Sequence, residues 1–338
     1  MRKITFDELF EEANQEKIIN IPDVEVVIEQ LLQDDEVDEE FDYSNSCRKK
    51  LRKIVSLFND QEFLLYGTAE EIHNCAVPFA RVNMYDCACT ILKRGLESLE
   101  GSVDLLADYI RYGISCGRYA ECEEYFLRLK GISKSQWNWR AFSFSIDYLL
   151  DKVNRTNGIK ERNSIKRTAN RLADEFISIV GKDQAYFDKA QVIRTFGDDN
   201  EKTEETILLQ GIHSLKVAPR CALRMSDILF ERGEYREAVE LLKKCCINAF
   251  SPQPDINGSY SFLLSALSKT SNLFSECIDR DFADKENIVM DIYKDFNTAL
   301  EANLNSTYEQ TANTAIKIIE AQTKYEYPYN NIDDQYDF

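Results

Sequence analysis

The chain has 338 residues and a formal net charge of −18, from 41 Lys and Arg against 59 Asp and Glu. Its 44% hydrophobic content is that of a folded protein with its own core rather than a disordered chain. Because a polyanion must be met by positive charge, the acidity argues against binding nucleic acid or an anionic membrane over the whole surface. Twelve Gly and six Pro are few for the tight turns of β-rich folds, so the composition favours helices.

The acidity is concentrated at the two ends of the chain. Residues 1–46 carry a net charge of −12 and residues 325–338 a net charge of −4, which leaves only −2 for the long segment between them. We therefore expect two acidic arms on a nearly neutral body, whose surface remains open to local basic contacts.

The N-terminal arm contains two predicted short helices. Thr5 can cap the first, with Glu8 at the capping-box position, and the second opens at Pro22. The run DDEVDEEFD at 34–42 is dense in like charges that repel one another, which predicts a loop. The sequence thus predicts an acidic arm at 1–45, a helical body at 46–324 and an acidic, Tyr-rich tail at 325–338.

The N-terminus has no apolar core of the kind a signal peptide needs, and no stretch of about 18 apolar residues occurs. Most of the ten cysteines lie in apolar-periodic segments, where Cys acts as a small hydrophobe, and a chain of this length needs no disulfides. These features predict a protein of the reducing cytoplasm with no membrane segment.

From residue 46 to about 324 the apolar periodicity is helical, with breaks at short polar or Gly-containing segments. No stretch combines sustained alternation with a hairpin turn. The pattern predicts an all-α fold of antiparallel helix pairs joined by short loops.

Three segments of the body share one pattern: a turn residue, any residue, Tyr, two residues, a small residue, three residues and a large apolar residue. They begin at Asn83, Gly117 and Gly233, and the second begins at an offset of 34 from the first. Gly or Asn suits a turn with positive φ, and the small residue lets two helices approach closely. The small residues are Ala88, Cys122 and Ala238.

This pattern resembles the tetratricopeptide repeat (TPR), a 34-residue helix–turn–helix unit. The resemblance is clear over about 69–134 and 203–250, and it implies a right-handed α-solenoid of antiparallel helix pairs. The middle copy departs from the family pattern, with Ile110 where a small residue is expected and Gly113 where a large one is expected.

The sequence contains no recognisable catalytic or metal-binding constellation. His73 and His213 belong to different repeats, Cys87 and Cys89 point to opposite sides of a helix, and Cys245 and Cys246 are adjacent, so none suits a tetrahedral site. No Gly-rich phosphate loop and no nucleophile signature occurs. We predict a protein that is not an enzyme, with no cofactor and no metal.

The resemblance also implies that the first helices of successive pairs line a concave groove. The groove-facing positions carry mixed charge, which suits a polar peptide or a folded protein partner; the alternative is that these side chains are merely solvated. They fall on Glu70, His73, Asp104, Arg111, Asn138, Ser145, Arg220 and Asp227.

Two basic clusters, at 48–53 and 152–171, are candidates for contact with phosphate, nucleic acid or an acidic protein. The alternatives are a solvated helix face, or an internal site on which residues 1–42 dock and gate a partner site. The candidate contact residues are Arg48, Lys49, Lys50, Arg52, Lys53, Lys160, Arg162, Lys166, Arg167 and Arg171.

Trp137 and Trp139 form a dense aromatic patch with Phe142 and Phe144. The patch either packs the start of a helix or, if exposed, forms a hot spot for a partner. The aromatic tail at 325–338 has no helical periodicity and is suited to docking on a groove or another subunit.

The leading functional prediction is a non-enzymatic adaptor or regulatory subunit that binds another protein through the concave face or an end of the solenoid. The alternatives are a nucleic-acid-associated subunit that uses the two basic clusters, and a regulatory protein whose groove senses a peptide.

Overall fold

The structure, a computed structural model, describes residues 4–33, 44–196, 203–215 and 218–234, together with 237, 238 and 241. These residues form twelve α-helices, two short strands and one 3₁₀ turn at Lys134–Gln136. The chain divides into two compact units, Met1–Val180 and Gly181–Phe338.

The first unit begins with a small α/β element. Its parts are α1 (Phe6–Glu16), β1 (Ile18–Asn20), α2 (Ile21–Gln33), α3 (Asn45–Asn59) and β2 (Leu64–Tyr66).

The capping box predicted at the start of α1 is present. The Glu8 amide donates to Thr5 Oγ1, and the Glu8 carboxylate accepts from the Thr5 amide at 2.8 Å. Each of these two hydrogen bonds satisfies a backbone amide that would otherwise lack a partner at the start of the helix. Helix α2 starts at Ile21, one residue before the predicted opening at Pro22.

The two strands were not predicted from the sequence. They pair in parallel, with Ile18 opposite Leu64, Ile19 opposite Leu65 and Asn20 opposite Tyr66. Three residues are too few to show the alternation by which a strand is recognised. Ile19 faces the core and is completely buried, whereas Ile18 and Leu64 lie on the outward side. We call this two-stranded element the ribbon.

Residues 4–33 pack onto the rest of the first unit. Helix α2 contacts α3 and α4, and its Val24 and Ile28 are completely buried. The ammonium of Lys53 on α3 lies 4.5 Å from the ring centre of Phe10 on α1. The boundary at residue 45 remains a prediction. Residues 34–43 and the tail at 325–338 lie outside the described residues.

Three helix pairs follow in the first unit. They are α4 (Ala69–Arg81) with α5 (Tyr85–Ser98), α6 (Val103–Ser115) with α7 (Tyr119–Lys130), and α8 (Trp139–Arg155) with α9 (Ile159–Ile179).

The helix spacing is that of the sequence pattern. Helix α6 begins at an offset of 34 from the start of α4, and α7 begins at the same offset from the start of α5. The turns within the first two pairs place Asn83 and Gly117 at φ values of 57° and 75°, as their residue types predict. Over the described residues, the predicted all-α fold of TPR-like antiparallel helix pairs is confirmed, with the ribbon as an addition.

The second unit contains α10 (Asp183–Phe196), α11 (Glu204–Ser214) and α12 (Pro219–Glu231), and α10 packs against both of the others. The Asp183 carboxylate accepts from the amides of Arg220 and Cys221 at 2.7 and 3.1 Å and thereby caps α12. Gly233 after α12 has φ 79°, as expected for the turn of the third copy. Ala238 is completely buried, and most of the rest of that copy lies outside the described residues.

Close helix approach explains the departure of the middle copy from the family pattern. A Cβ atom added at Gly113 on α6 would lie 2.5 Å from Cys122 Sγ on α7. At Gly95 on α5, an added Cβ would lie 2.8 Å from Ile72 Cγ2 on α4. The repeat pattern expects a small residue at position 110, where this chain has Ile110. Gly113, one turn later on α6, provides the small residue instead, because Cys122 on α7 packs directly against it.

None of the seven described cysteines forms a disulfide, and all except the half-buried Cys116 are buried. Burial raises the pKa of the Cys87 thiol to about 11 and that of Cys122 to about 12, and it raises the pKa of Cys75 as well. None of the helices in the described part of the chain is long and apolar enough to cross a membrane.

We expect Cys75, Cys87 and Cys122 to resist alkylation by iodoacetamide at pH 7. The thiolate is the reactive form, and a pKa near 11 instead of 9.0 lowers its fraction about a hundredfold at neutral pH. Peptide mass spectrometry with and without urea measures the labelling. Rapid labelling of these three sites in the folded protein would contradict the packing described here.

We expect Gly113→Ala to destabilise the protein. Overpacking against Cys122 costs about 1–3 kcal/mol, which exceeds the gain of about 1 kcal/mol in helix propensity. Urea unfolding of the single variant and of Gly113→Ala with Cys122→Ala measures the coupling, since the second change removes the clashing sulfur. Gly101→Ala is the control, because nothing lies within 4 Å of the added Cβ. Additive losses in the double variant would refute the clash.

Candidate interaction site on the first helices

The first helices of the three pairs, α4, α6 and α8, lie side by side, since α6 contacts both α4 and α8. Their polar side chains meet across the helix boundaries. We call this surface the first-helix face and define it by His73, Asp104, Asp108, Arg111, Asn138, Arg140, Phe144, Asp147 and the neighbouring Trp139.

Asp108 on α6 is the centre of the face. Its side chain is only 1% exposed, and a buried carboxylate is costly unless it is paired and hydrogen-bonded. The pairing comes from both neighbouring helices: His73 Nδ1 lies 2.7 Å from Asp108 Oδ2, and Arg140 Nη1 lies 3.3 Å from the same oxygen. Arg140 Nη1 also lies 3.1 Å from His73 Nε2.

Asp104 forms a second link between α6 and the start of α8. Its Oδ1 atom accepts from Arg140 Nη2 at 2.7 Å and from Asn138 Nδ2 at 2.5 Å. Asn138 is also the N-cap of α8, because its Oδ1 accepts from the Ala141 amide at 3.1 Å. One side chain therefore caps a helix and fixes its position against the previous repeat.

Around Phe144 the face combines charge with aromatic surface. Arg111 Nη1 donates to Asp147 Oδ2 at 3.2 Å, and its guanidinium lies 5.8 Å from the ring centre of Phe144. The ring of Trp139 packs edge-on to Phe144 at 6.0 Å and remains 40% exposed. An amphipathic ring held by a neighbour and open to solvent is the kind of side chain that anchors protein interfaces.

Tyr112 lies under the same face. Burial raises the pKa of its phenol, and the Asp108 carboxylate raises it further. Its hydroxyl therefore stays protonated at any physiological pH and can act as a hydrogen-bond donor.

The structure brings together four of the predicted groove residues: His73, Asp104, Arg111 and Asn138. Glu70 is exposed in the first turn of α4. Ser145 is completely buried, with its hydroxyl lacking a hydrogen-bond partner, and it presents no surface to a ligand. Arg220 and Asp227 are half-buried on α12 in the second unit.

Asp108, Arg140 and Asp147 were missed in the sequence. The sequence nevertheless contains a signal for these three residues. Each lies about one repeat after a predicted groove residue with which its side chain can form a hydrogen bond. Asp108 comes 35 residues after His73, and the bonded pairs Asp104–Arg140 and Arg111–Asp147 are each 36 apart.

The two tryptophans of the aromatic patch differ: one packs in the core at the start of α8, and the other is exposed as a hot spot would be. Trp137 is buried and packs on Phe142 at 5.1 Å between ring centres, whereas Trp139 is partly exposed on the first-helix face. Beside Trp137, burial lowers the pKa of the Lys134 ammonium to about 8, and its charge lies over the indole ring.

Several basic residues of the 152–171 cluster have intramolecular partners. Arg162 Nη1 donates to the carbonyls of Val153 and Thr156 at 2.9 and 3.1 Å and so satisfies the C-terminal end of α8. Arg171 lies 4.0 Å from Glu175, and Arg167 Nε lies 3.4 Å from the Asn163 carbonyl. Lys160 is exposed, and Lys166 is half-buried.

In the 48–53 cluster, Arg48 Nη1 lies 3.5 Å from the Val82 carbonyl. Lys53 covers the rings of Phe6 and Phe10 on α1, which places part of the N-terminal arm against this cluster through aromatic contacts. Lys49, Lys50 and Arg52 are exposed.

Over the part of the chain that the structure describes, no group of three or more His, Cys, Asp or Glu side chains is arranged to hold a metal ion.

A scan against protein-family models and a search of the curated proteins gave no match. Among solved structures, the chain is similar to the crystal structure of a thermophilic TPR protein of Thermus thermophilus. The similarity has a TM-score of 0.44 at 14% identity and covers 59% of this chain and 99% of that chain. The TPR-like description used here rests on the helix spacing and turns of this chain itself.

We expect Arg140→Met to destabilise the protein by about 2–3 kcal/mol, because it leaves the buried Asp108 carboxylate with one partner fewer. Adding Asp108→Asn should recover part of the loss, since a neutral amide needs no counter-charge. Chemical unfolding measures both. Arg167→Met on the exposed side of α9 is the control and should change stability by no more than about 0.5 kcal/mol. Equal stability of Arg140→Met and the control would contradict the role given to Arg140.

Proposed function

We propose that the protein is a non-enzymatic adaptor or regulatory subunit that binds another protein through the first-helix face. The observation that carries the proposal is the set of charged and aromatic side chains fixed across α4, α6 and α8. A TPR-like fold supports protein binding in general, because stacked helix pairs present their first helices as one continuous surface.

The bonds within the face support a binding role. His73, Arg140 and Asn138 are already held by partners on neighbouring helices, so a ligand would order few further side chains. Asp104, Arg111 and Asp147 remain partly open to solvent and can still accept or donate bonds. The two signs of charge favour a partner of mixed charge rather than an acidic tail.

Trp139 is the proposed anchor of the interface. It combines an open ring with a rigid support in Phe144, and the Arg111 guanidinium lies over the Phe144 ring. Glu70 extends the same face at the start of α4. Arg220 and Asp227 are proposed to contribute to a separate polar surface in the second unit.

The contacts of the basic residues favour this proposal over the nucleic-acid alternative. In the 152–171 cluster, Arg162 caps a helix and Arg171 faces a carboxylate, so fewer cations are left for phosphate than the sequence suggests. No specific observation favours the peptide-sensing alternative. We further propose the cytoplasm as the compartment, because buried, reduced cysteines suit a reducing environment.

Affinity purification with mass spectrometry from the native host tests the proposal. We expect the wild-type chain to recover a defined protein partner, and the variant Trp139→Ala with Arg111→Ala to recover at least about fivefold less, since both side chains are partly exposed contact groups. Leu127→Ser on α7 is the matched control, because it removes an exposed apolar side chain from a different helix.

Thermal melting of each variant separates a lost interface from a lost fold. Neither Trp139 nor Arg111 is buried, so we expect the double variant to lose only about 1 kcal/mol of stability. Undiminished recovery of the partner by a folded double variant would refute the proposed face.

A further inference from the structure

The ribbon presents large apolar side chains to solvent. Residues at alternate positions of a strand share a face, and the parallel register places Ile18 beside Leu64 and Asn20 beside Tyr66. Leu64 and Tyr66 are 69% and 71% exposed, and Ile18 is 36% exposed. Single exposed apolar residues are common on proteins, but three on one small face form a patch.

The patch borders a cavity of about 270 Å³ between the ribbon and α1. Leu9 and Ala13, both buried, supply apolar surface from the side of α1, and Ile18 and Tyr66 supply it from the ribbon. The concavity gives an inserted apolar side chain contacts on more than one side, which a flat patch does not.

Carboxylates also line this cavity. Glu12 and Glu16 project from α1, and Asp23 lies at the start of α2, where it accepts from Asn20 Nδ2 at 2.5 Å. The last turn of α1 contains no basic residue, and Lys17 after it is engaged by Glu62 at 3.4 Å. The three carboxylates among the lining residues favour a positively charged ligand.

We propose that the outward face of the ribbon binds a short segment of a partner protein in which a large apolar side chain is flanked by Lys or Arg. The apolar side chain enters the cavity beside Tyr66 and Ile18, and the flanking cations meet Glu12, Glu16 and Asp23. This surface shares no residue with the first-helix face, so it adds a second binding site to the proposed adaptor.

Charge argues against the other occupants. The tail at 325–338 carries a net charge of −4, and residues 34–42 hold seven acids and no base, so both would be repelled by the rim. A symmetric dimer through this face would place two identical acidic rims opposite each other, since a two-fold interface pairs the same surface with itself.

The test begins with selection of binders from a phage-displayed library of random peptides of about ten residues, using the full-length chain. We expect the enriched peptides to contain Leu, Ile, Phe or Tyr between Lys or Arg residues. Synthetic, fluorescein-labelled copies are then titrated with the protein, and binding is followed by fluorescence anisotropy.

Two variants locate the binding. Leu64→Ser with Tyr66→Ser should weaken the selected peptides at least about tenfold, and Glu16→Lys should weaken them as well and reduce the salt dependence of binding. Leu127→Ser and the Trp139→Ala, Arg111→Ala variant should bind them like the wild type. Because the ribbon side chains are exposed, circular dichroism should show all variants folded.

Four outcomes would overturn the proposal: no enriched peptide, enriched peptides without basic residues, binding that survives the ribbon variants, or binding weakened equally by the Leu127 control. A concentration-dependent dimer that Leu64→Ser with Tyr66→Ser converts to a monomer would assign the face to a second copy of the chain instead. Loss of peptide binding together with intact partner recovery through Trp139 and Arg111 would separate this site from the first-helix face.

Discussion

The close approach of helices at small residues is the constraint on which the rest of the first unit depends. Gly95 lies against Ile72 and Gly113 against Cys122, with no room for a Cβ atom at either glycine. The positions of α4 and α6 are thereby fixed by the second helices packed against them. Hydrogen bonds in proteins mostly span donor–acceptor distances of about 2.7–3.2 Å, so the bonds between α4, α6 and α8 require this spacing to hold within a fraction of an ångström. A larger residue at Gly113 would disturb the packing that supports the polar face as well as the local core.

The network around Asp108 contributes more to geometry than to net stability. Removing a carboxylate from water costs several kcal/mol, and its bonds to His73 and Arg140 offset that cost rather than exceed it. The network therefore gives each of these helices one favoured position relative to the next, because any shift leaves the buried Asp108 carboxylate with fewer partners. The side chains at the rim of the network, Arg111 and Trp139, are therefore presented in a defined arrangement, which is what an interface built on a rigid scaffold needs.

The sequence predicts the repeating features of the fold and misses the features that depend on single contacts. Tyr85 and Tyr119 begin helices at equivalent positions of successive repeats, and Asn83 and Gly117 adopt positive φ, because spacing and turn chemistry are local properties. Asp108 and Arg140 were not predicted as site residues, since their roles arise from partners 35 and 32 residues away along the chain. Ser145 shows the opposite error. Its side chain was expected to face the groove, but it is completely buried in the core beneath α8. The ribbon was missed because a pair of three-residue strands leaves no periodic trace.

The acidity of the N-terminal region has a different meaning once its packing is known. Two appended arms would carry their charge on flexible chain, where it is screened and averaged over many positions. Residues 4–33 are instead held against the body by the buried Val24 and Ile28 of α2 and by the pairing of β1 with β2. Glu12, Glu16 and Asp23 thus keep fixed positions in a concavity beside the apolar side chains of the ribbon, and fixed charges beside apolar surface can select a ligand by the spacing of its charges. The negative charge that argues against polyanion binding over the whole surface therefore also favours a basic and apolar protein segment at this edge of the molecule.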